Sequence, residues 1–204
     1  MKFGRFIYRY TGEYHAGKEA IYNIGDNIQT IAIDNLYKIC GINEEDIVDL
    51  NIAELTVYDG AYCIVPMAGY FSSYSEFDQL PVSGRIIPLF ISTELGYTEC
   101  KDLVPFLKKW EPVWARDEAT LQNLRKYGIE SCLSGCLTIT LPKRYRKPEN
   151  GRGFLIDLSD AALTVLPRDY RENGEIVHHV GRLEKTPMDE EERLRVDGIV
   201  RRRL

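Results

Sequence analysis

Two rhythms of apolar and polar positions run through the chain. Phe3-Gly4-Arg5-Phe6-Ile7-Tyr8 is rich in β-forming side chains, and residues 2–10 read as a first strand. After Tyr22-Asn23-Ile24-Gly25 the rhythm changes. Ile28, Ile31, Ala32, Leu36 and Ile39 recur at the spacing of one buried helix face, which predicts a helix from Asp26 to about Cys40, with Gly41 placed to end it. Asn23, Asp26 and Asn27 stand where this helix begins, so each is a candidate acceptor for the free amides of its first turn. Gly25 lets the backbone turn sharply there. Strand, glycine turn and helix together open many α/β domains.

The alternation continues. Residues 47–50 suit a short second strand. Ala61-Tyr62-Cys63-Ile64-Val65-Pro66-Met67 is an unbroken apolar run, as expected of a strand buried on both faces, and Gly69-Tyr70-Phe71-Ser72-Ser73 follows it. Residues 85–92 form the next strand, in which Pro88 argues for an edge or a bulge. Residues 98–109 fit one helix with Leu103, Phe106, Leu107 and Trp110 inward, stopped by Pro112. Val113-Trp114-Ala115 is a short strand. Asp117 is placed to cap a helix with Leu121 and Leu124 inward and Gly128 just past its end. A strand over 129–132 is followed by the small-residue turn Ser134-Gly135-Cys136, and residues 137–141 continue as strand.

Residues 142–152 are polar and basic and make the clearest linker in the chain. The expected organisation is a Rossmann-like domain over 1–142, a linker at 143–152 and the start of a second unit, or an appendage cut in mid-architecture, over 153–204. Within that last part, residues 153–158 and 175–180 read as strands. Residues 188–203 read as a charged helix, acidic at its start and basic at its end, an order that complements the helix dipole. The fold class expected is α/β, Rossmann-like, with a mostly parallel sheet flanked by helices. Such sheets bind ligands in the crevice at the carboxyl ends of their strands.

Composition narrows the function classes. Among 204 residues, 44% are hydrophobic and 28% charged, close to globular averages. Lys and Arg total 26 against 31 Asp and Glu, a formal net charge of −5, which removes a general electrostatic nucleic-acid binder from consideration. No run approaches the ~20 apolar residues of a membrane helix, and no secretory signal is seen at the N-terminus. The five cysteines are odd in number and scattered, which reads as reduced thiols in a cytoplasmic protein. With three histidines and no Cys-x-x-Cys, neither a metal site nor any other cofactor is indicated. The segment 11–25 is long for a strand-to-helix connection, and its Tyr14, His15, Lys18 and Tyr22 suit a sugar or a nucleobase as well as they suit a solvated loop.

Two motif blocks carry a resemblance. Asn23-Ile24-Gly25-Asp26-Asn27-Ile28-Gln29, with Ala32 three residues on, is the first. Arg116-Asp117-Glu118-Ala119-Thr120, followed by Gly128-Ile129 and Ser134-Gly135-Cys136-Leu137-Thr138, is the second. In this order and at about this spacing they resemble the polysaccharide pyruvyl transferase family over roughly residues 1–165. That resemblance implies the N-terminal half of a GT-B-like pair of Rossmann-like domains facing a cleft. It also implies transfer of the pyruvyl group of phosphoenolpyruvate onto a pair of sugar hydroxyls as a cyclic ketal. The implied partners are phosphoenolpyruvate, a sugar or polysaccharide acceptor, and a second domain, partner chain or second copy that completes the cleft.

The resemblance assigns roles residue by residue. Asp26 orients or deprotonates the acceptor hydroxyl, against the plainer role of a helix cap. Arg116 holds an anionic group, against a pair with Asp117 or another carboxylate. Asn23 and Gln29 bond sugar hydroxyls, against satisfaction of the helix end. Gly25, Gly69, Tyr70 and Gly135 border the ligand. The family's Ser-Arg-Leu-His-like motif is missing: His178-His179 follows Val177, so that role is not transferred. Cys136 has no histidine near it in sequence and reads as a buried thiol in preference to a nucleophile. Two rivals stand beside the transferase: a non-catalytic sugar- or nucleotide-binding module, and a GT-B glycosyltransferase half-domain using a nucleotide sugar.

Overall fold

The computed structural model describes residues 1–9, 21–71, 79–143, 153–184 and 188–203. Tyr14, His15, Lys18, Ser72 and Ser73 and most of the linker, 144–152, lie outside the described residues.

Parallel strands form the centre. One sheet has β1 (Lys2–Ile7) between β3 (Ile47–Asn51) and β4 (Cys63–Pro66), with β6 (Ile86–Leu89) beyond β4. A second sheet runs β5 (Gly69–Phe71), β7 (Thr93–Leu95), β8 (Val113–Ala115) and β9 (Ser131–Leu133). Every pairing in both is parallel, with Phe6 opposite Leu50, Val65 opposite Pro88 and Trp114 opposite Cys132. The sheets are continuous through the backbone. β4 passes into β5 and β6 into β7, and the Met67 N–H donates to Leu89 O at 2.8 Å and the Gly69 N–H to Ser92 O at 3.2 Å. Pro88 sits at the seam. β8 first bonds this strand at Phe90, whose carbonyl accepts from the Trp114 N–H at 3.0 Å, so Pro88 lies where an N–H is not needed on that side.

The long helix α1 (Ile24–Ile39) starts two residues earlier than the periodicity predicts, and Asn23 is its cap: Oδ1 accepts from the Gly25 N–H at 2.9 Å. Gly25 therefore lies inside the helix and makes no turn. A Cβ there would sit 3.0 Å from Asn23 Oδ1 and crowd the cap. Ala32, Ile33 and Tyr37 bury α1 against the sheet, and Tyr37 Oη donates to the Gly4 carbonyl at 2.5 Å. The single helix expected over 98–109 is two, α2 (Tyr97–Asp102) and α3 (Val104–Lys109), broken at Leu103. Pro105, in the first turn of α3, has no N–H to continue the ladder of α2 and its ring displaces the preceding turn. α4 (Glu118–Lys126) has the expected Asp117 cap, with Oδ1 accepting from the Thr120 N–H at 2.8 Å, and Gly128 follows at φ 67°.

Residues 137–140 are a 3₁₀ turn in place of the expected strand. Gly135, at φ 75°, swings the chain off the edge strand β9 and over α1, where the Asn35 amide donates to Thr140 O at 3.0 Å. Further on, β10 (Gly153–Ile156) pairs in parallel with β11 (Gly174–Val177) across α5 (Asp160–Val165) and α6 (Arg168–Asn173). The strand expected over 175–180 stops at His178-His179, and β12 (Val180–Arg182) pairs antiparallel with β2 (Ile21–Asn23). α7 (Glu190–Arg203) packs on α1. Met188, Val196 and Val200 join the same apolar core as Phe6, Ile33 and Leu50. No helix among the described residues is long and apolar enough to cross a membrane.

β1 is central because its neighbours close over Gly4: a Cβ there would lie 2.5 Å from Leu50 Cδ1 and 2.6 Å from Val65 Cγ2, both buried. Gly4→Ala should therefore destabilise by roughly 1–3 kcal/mol through overpacking. Urea unfolding should show a lower midpoint with an unchanged slope.

Candidate functional site

The strand order places the site. From β1 the chain crosses through α1 to β3 on one side, then passes to β4 on the other. The connections after β1 and after β3 thus run in opposite directions, and the crevice of such a sheet opens at the carboxyl ends of β1 and its neighbour. The residues gathered there are Tyr8, Gly69, Ser92, Arg116 and Ser134-Gly135-Cys136, with the first turns of α1 above them.

Hydrogen bonds hold the strand ends together. Thr93 Oγ1 donates to Met67 O at 2.6 Å. Ser92, at φ 56°, donates its N–H to Ser134 Oγ at 3.2 Å and accepts at its own Oγ from the Leu137 N–H at 2.7 Å. The Ser134 N–H and Oγ both bond the Ala115 carbonyl, at 2.8 and 3.0 Å. The segments after β6, β8 and β9 form one hydrogen-bonded rim, which fixes the backbone that carries Arg116 and Cys136. Arg116, whose N–H donates to Thr93 O at 2.8 Å, pairs through its guanidinium with Glu94, both groups being partly buried.

Asp26 stands in the first turn of α1 facing this rim. Burial pushes its carboxyl up to about 6, against the opposing charges of Arg116 and His179. Asn23 supplies the cap, so Asp26 is not needed to end the helix. Gln29, one turn on and 7% exposed, donates from Nε2 to Cys136 Sγ at 3.4 Å, while its buried Oε1 has no partner among the described residues. Cys136 is half-buried and also in contact with Thr138 Oγ1 at 3.0 Å. Burial alone would raise its thiol. The hydrogen bonds from Thr138 and Gln29, the Thr138 amide and the Arg116 charge outweigh it and hold the thiol below its ordinary value. The buried-thiol reading of Cys136 is corrected to this extent: the sulfur is half-buried and hydrogen-bonded, chiefly by Thr138 and Gln29.

His179 is a residue to which the sequence assigns no role. Its carbonyl accepts from the Ile24 N–H at 2.8 Å, satisfying a free amide of the first turn of α1. Its own N–H donates to Asp157 Oδ1 at 3.0 Å and its Nδ1 pairs with Asp157 Oδ2. Asp157 is at φ 52°, and the bond from His179, with the nearby His178, keeps its carboxyl below the usual range. An imidazole oriented by a carboxylate is thus brought beside Asp26 by a pairing of β12 with β2 that no local motif announces.

The other expected residues divide. Gly69 is buried at φ 152°, a backbone conformation that side chains rarely adopt, while a Cβ there would meet Tyr8 Oη at an ordinary 3.9 Å. Gly135 makes the turn that delivers Cys136. Asn23 is engaged as the helix cap, and Gly25 makes room for it. Tyr70 is 51% exposed on a strand whose neighbours Gly69 and Phe71 point inward, so its side chain faces the opposite way.

A carboxyl shifted upward on folding lowers stability as pH rises, because the native state keeps its proton where the unfolded chain has lost it. For Asp26 the window runs from about pH 4, its unfolded value, to about 6, and the loss over it reaches roughly 2–3 kcal/mol. Asp26→Asn should flatten the stability profile between pH 4 and 6 and raise the melting temperature at pH 7, as measured by thermal unfolding across that range.

Comparison with protein-family models, with curated proteins and with solved structures finds no match to this chain.

Proposed function

We propose that this chain is the acceptor-side half of a polysaccharide pyruvyl transferase-like enzyme. Asp26 is the base for a sugar hydroxyl and Arg116 the cation that holds the donor's carboxylate or phosphate. The observation that carries this reading is Asp26 itself. It is a carboxyl kept near neutral pH by burial, relieved of capping duty by Asn23, and set beside a guanidinium at the crevice of a parallel sheet. A group tuned in this way costs stability and suits proton transfer. Gln29, with an unpartnered Oε1, offers an acceptor for a second hydroxyl.

The chemistry these groups fit is addition of two hydroxyls to the enol carbon of phosphoenolpyruvate. Asp26 takes the proton of one hydroxyl; of the two hydroxyl protons one ends on the methylene carbon and the other leaves with phosphate, while two C–O bonds form and the C–O bond to phosphate breaks, leaving a pyruvate ketal and inorganic phosphate. Asp26 at about 6 is ionised at neutral pH and close enough to it to return the proton. A second domain, partner chain or second copy would supply the remaining donor contacts.

Thermal melting of the full chain with phosphoenolpyruvate, with a nucleotide sugar and with neither separates this reading from its rivals. Phosphoenolpyruvate at 100 times its dissociation constant should stabilise by about 2.7 kcal/mol, and Arg116→Met should abolish that response. In the presence of methyl glycosides, phosphate release from phosphoenolpyruvate should require Asp26 and be lost in Asp26→Asn. A response to the nucleotide sugar alone would replace the transferase by a GT-B glycosyltransferase half. A response to a methyl glycoside alone, without phosphate release, would replace it by a sugar-binding module.

A further inference from the structure

A cavity of about 440 Å³ lies away from Asp26, between the end of β1, α1 and α7. At 100° per residue, Asn27, Thr30, Ile31 and Asp34 form one stripe of α1, while Asp26 and Gln29 lie on the stripe beside it. The cavity adjoins the crevice, sharing Tyr8 at the end of β1, but its charged lining is made of residues other than Asp26 and Arg116, so the inference does not rest on the transferase reading.

We propose that this cavity binds a ligand carrying a protonated amine on a short aliphatic stem. Its charges are unbalanced: Arg5 and Arg193 face Asp34, Glu44, Asp49 and Asp197, two cations against four carboxylates. Both cations are already engaged. Arg5 bonds Asp34 at 3.0 Å, Glu44 at 3.1 Å and Asp49 at 2.8 Å. Arg193 bonds Asp197 at 2.7 Å and pairs with Glu190. An anionic ligand would meet a surplus of like charge here.

Asn27 supplies the second, independent observation. It lines the cavity, is 7% exposed, and donates from Nδ2 to Asp197 Oδ1 at 3.2 Å. That bond fixes which end of the amide is which, and the buried Oδ1 has no partner among the described residues. A buried acceptor without a donor is the exception in folded proteins. A ligand bringing N–H donors satisfies it, and an ammonium brings three together with the missing positive charge. Phe6, Ile31 and Val200 provide apolar wall for the stem.

The test uses putrescine, with 1,4-butanediol as its uncharged counterpart, titrated against the full chain by calorimetry and by thermal melting at matched ionic strength. Putrescine should bind and raise the melting temperature, butanediol should do neither, and added salt should weaken the response. Asp197→Asn should weaken putrescine at least about tenfold. Should that variant fail to fold, Asp49→Asn, altering a carboxylate at the rim on β3, should weaken it in the same sense. Asp26→Asn should leave putrescine binding intact, so failure at one location is not failure at the other. Equal responses to putrescine and butanediol, no response to putrescine, or an unchanged affinity in the folded carboxylate variants would overturn the proposal.

Discussion

Parallel pairing constrains everything else in this molecule. A parallel neighbour is reached only by a crossover that carries the chain back to the starting edge, so the carboxyl ends of β3, β1, β4–β5, β6–β7, β8 and β9 gather on one side. The central strand tolerates this because Gly4 leaves space that Leu50 and Val65 fill, and because Tyr37 of α1 bonds the Gly4 carbonyl from above. Once that centre is packed, the segments after β6, β8 and β9 have little freedom. The hydroxyls of Ser92, Ser134 and Thr93, bonding backbone groups, knit them into a rim that sets where Arg116 and Cys136 stand.

On that rim desolvation and charge compete, and the winner differs between neighbours. Asp26 lies in the first turn of a helix, where the dipole favours a carboxylate. Arg116 and His179 favour it too. Burial nevertheless dominates and lifts the group to about 6. At Cys136 the same Arg116 field acts together with three hydrogen bonds, and there the charged form gains. The guanidinium that acts on both is paired with Glu94. The site thus has a carboxyl easier to protonate than usual and a thiol easier to ionise than usual, both under the charge of Arg116.

The C-terminal segment is part of this arrangement. β12 adds to β2, the His179 carbonyl closes the open end of α1, and Val196 and Val200 of α7 enter the core that Phe6 and Ile33 begin. One helix, α1, therefore presents one stripe to the rim and the adjoining stripe to α7, with a cavity on the second. Both stripes carry a buried amide whose oxygen has no partner among the described residues, Gln29 on the first and Asn27 on the second.

Local physics was enough for the α/β class, for α1, for the Asp117 cap and for the short strands before Arg116, because each follows from periodicity or from hydrogen bonds within one turn. The same reading placed Asp26, Gln29 and Arg116 at strand-to-helix junctions, where a parallel sheet opens. It failed where a distant partner decides. The apolar alternation of 137–141 became a 3₁₀ turn because Ser92 and α1 capture it, and the helix over 98–109 split at a proline whose effect the apolar face concealed. Nothing near His179 in sequence foretells Asp157 or the first turn of α1. The proton affinity of Asp26 and the unpartnered oxygens of Asn27 and Gln29 belong to the fold alone, since burial and satisfaction depend on residues up to 170 positions away.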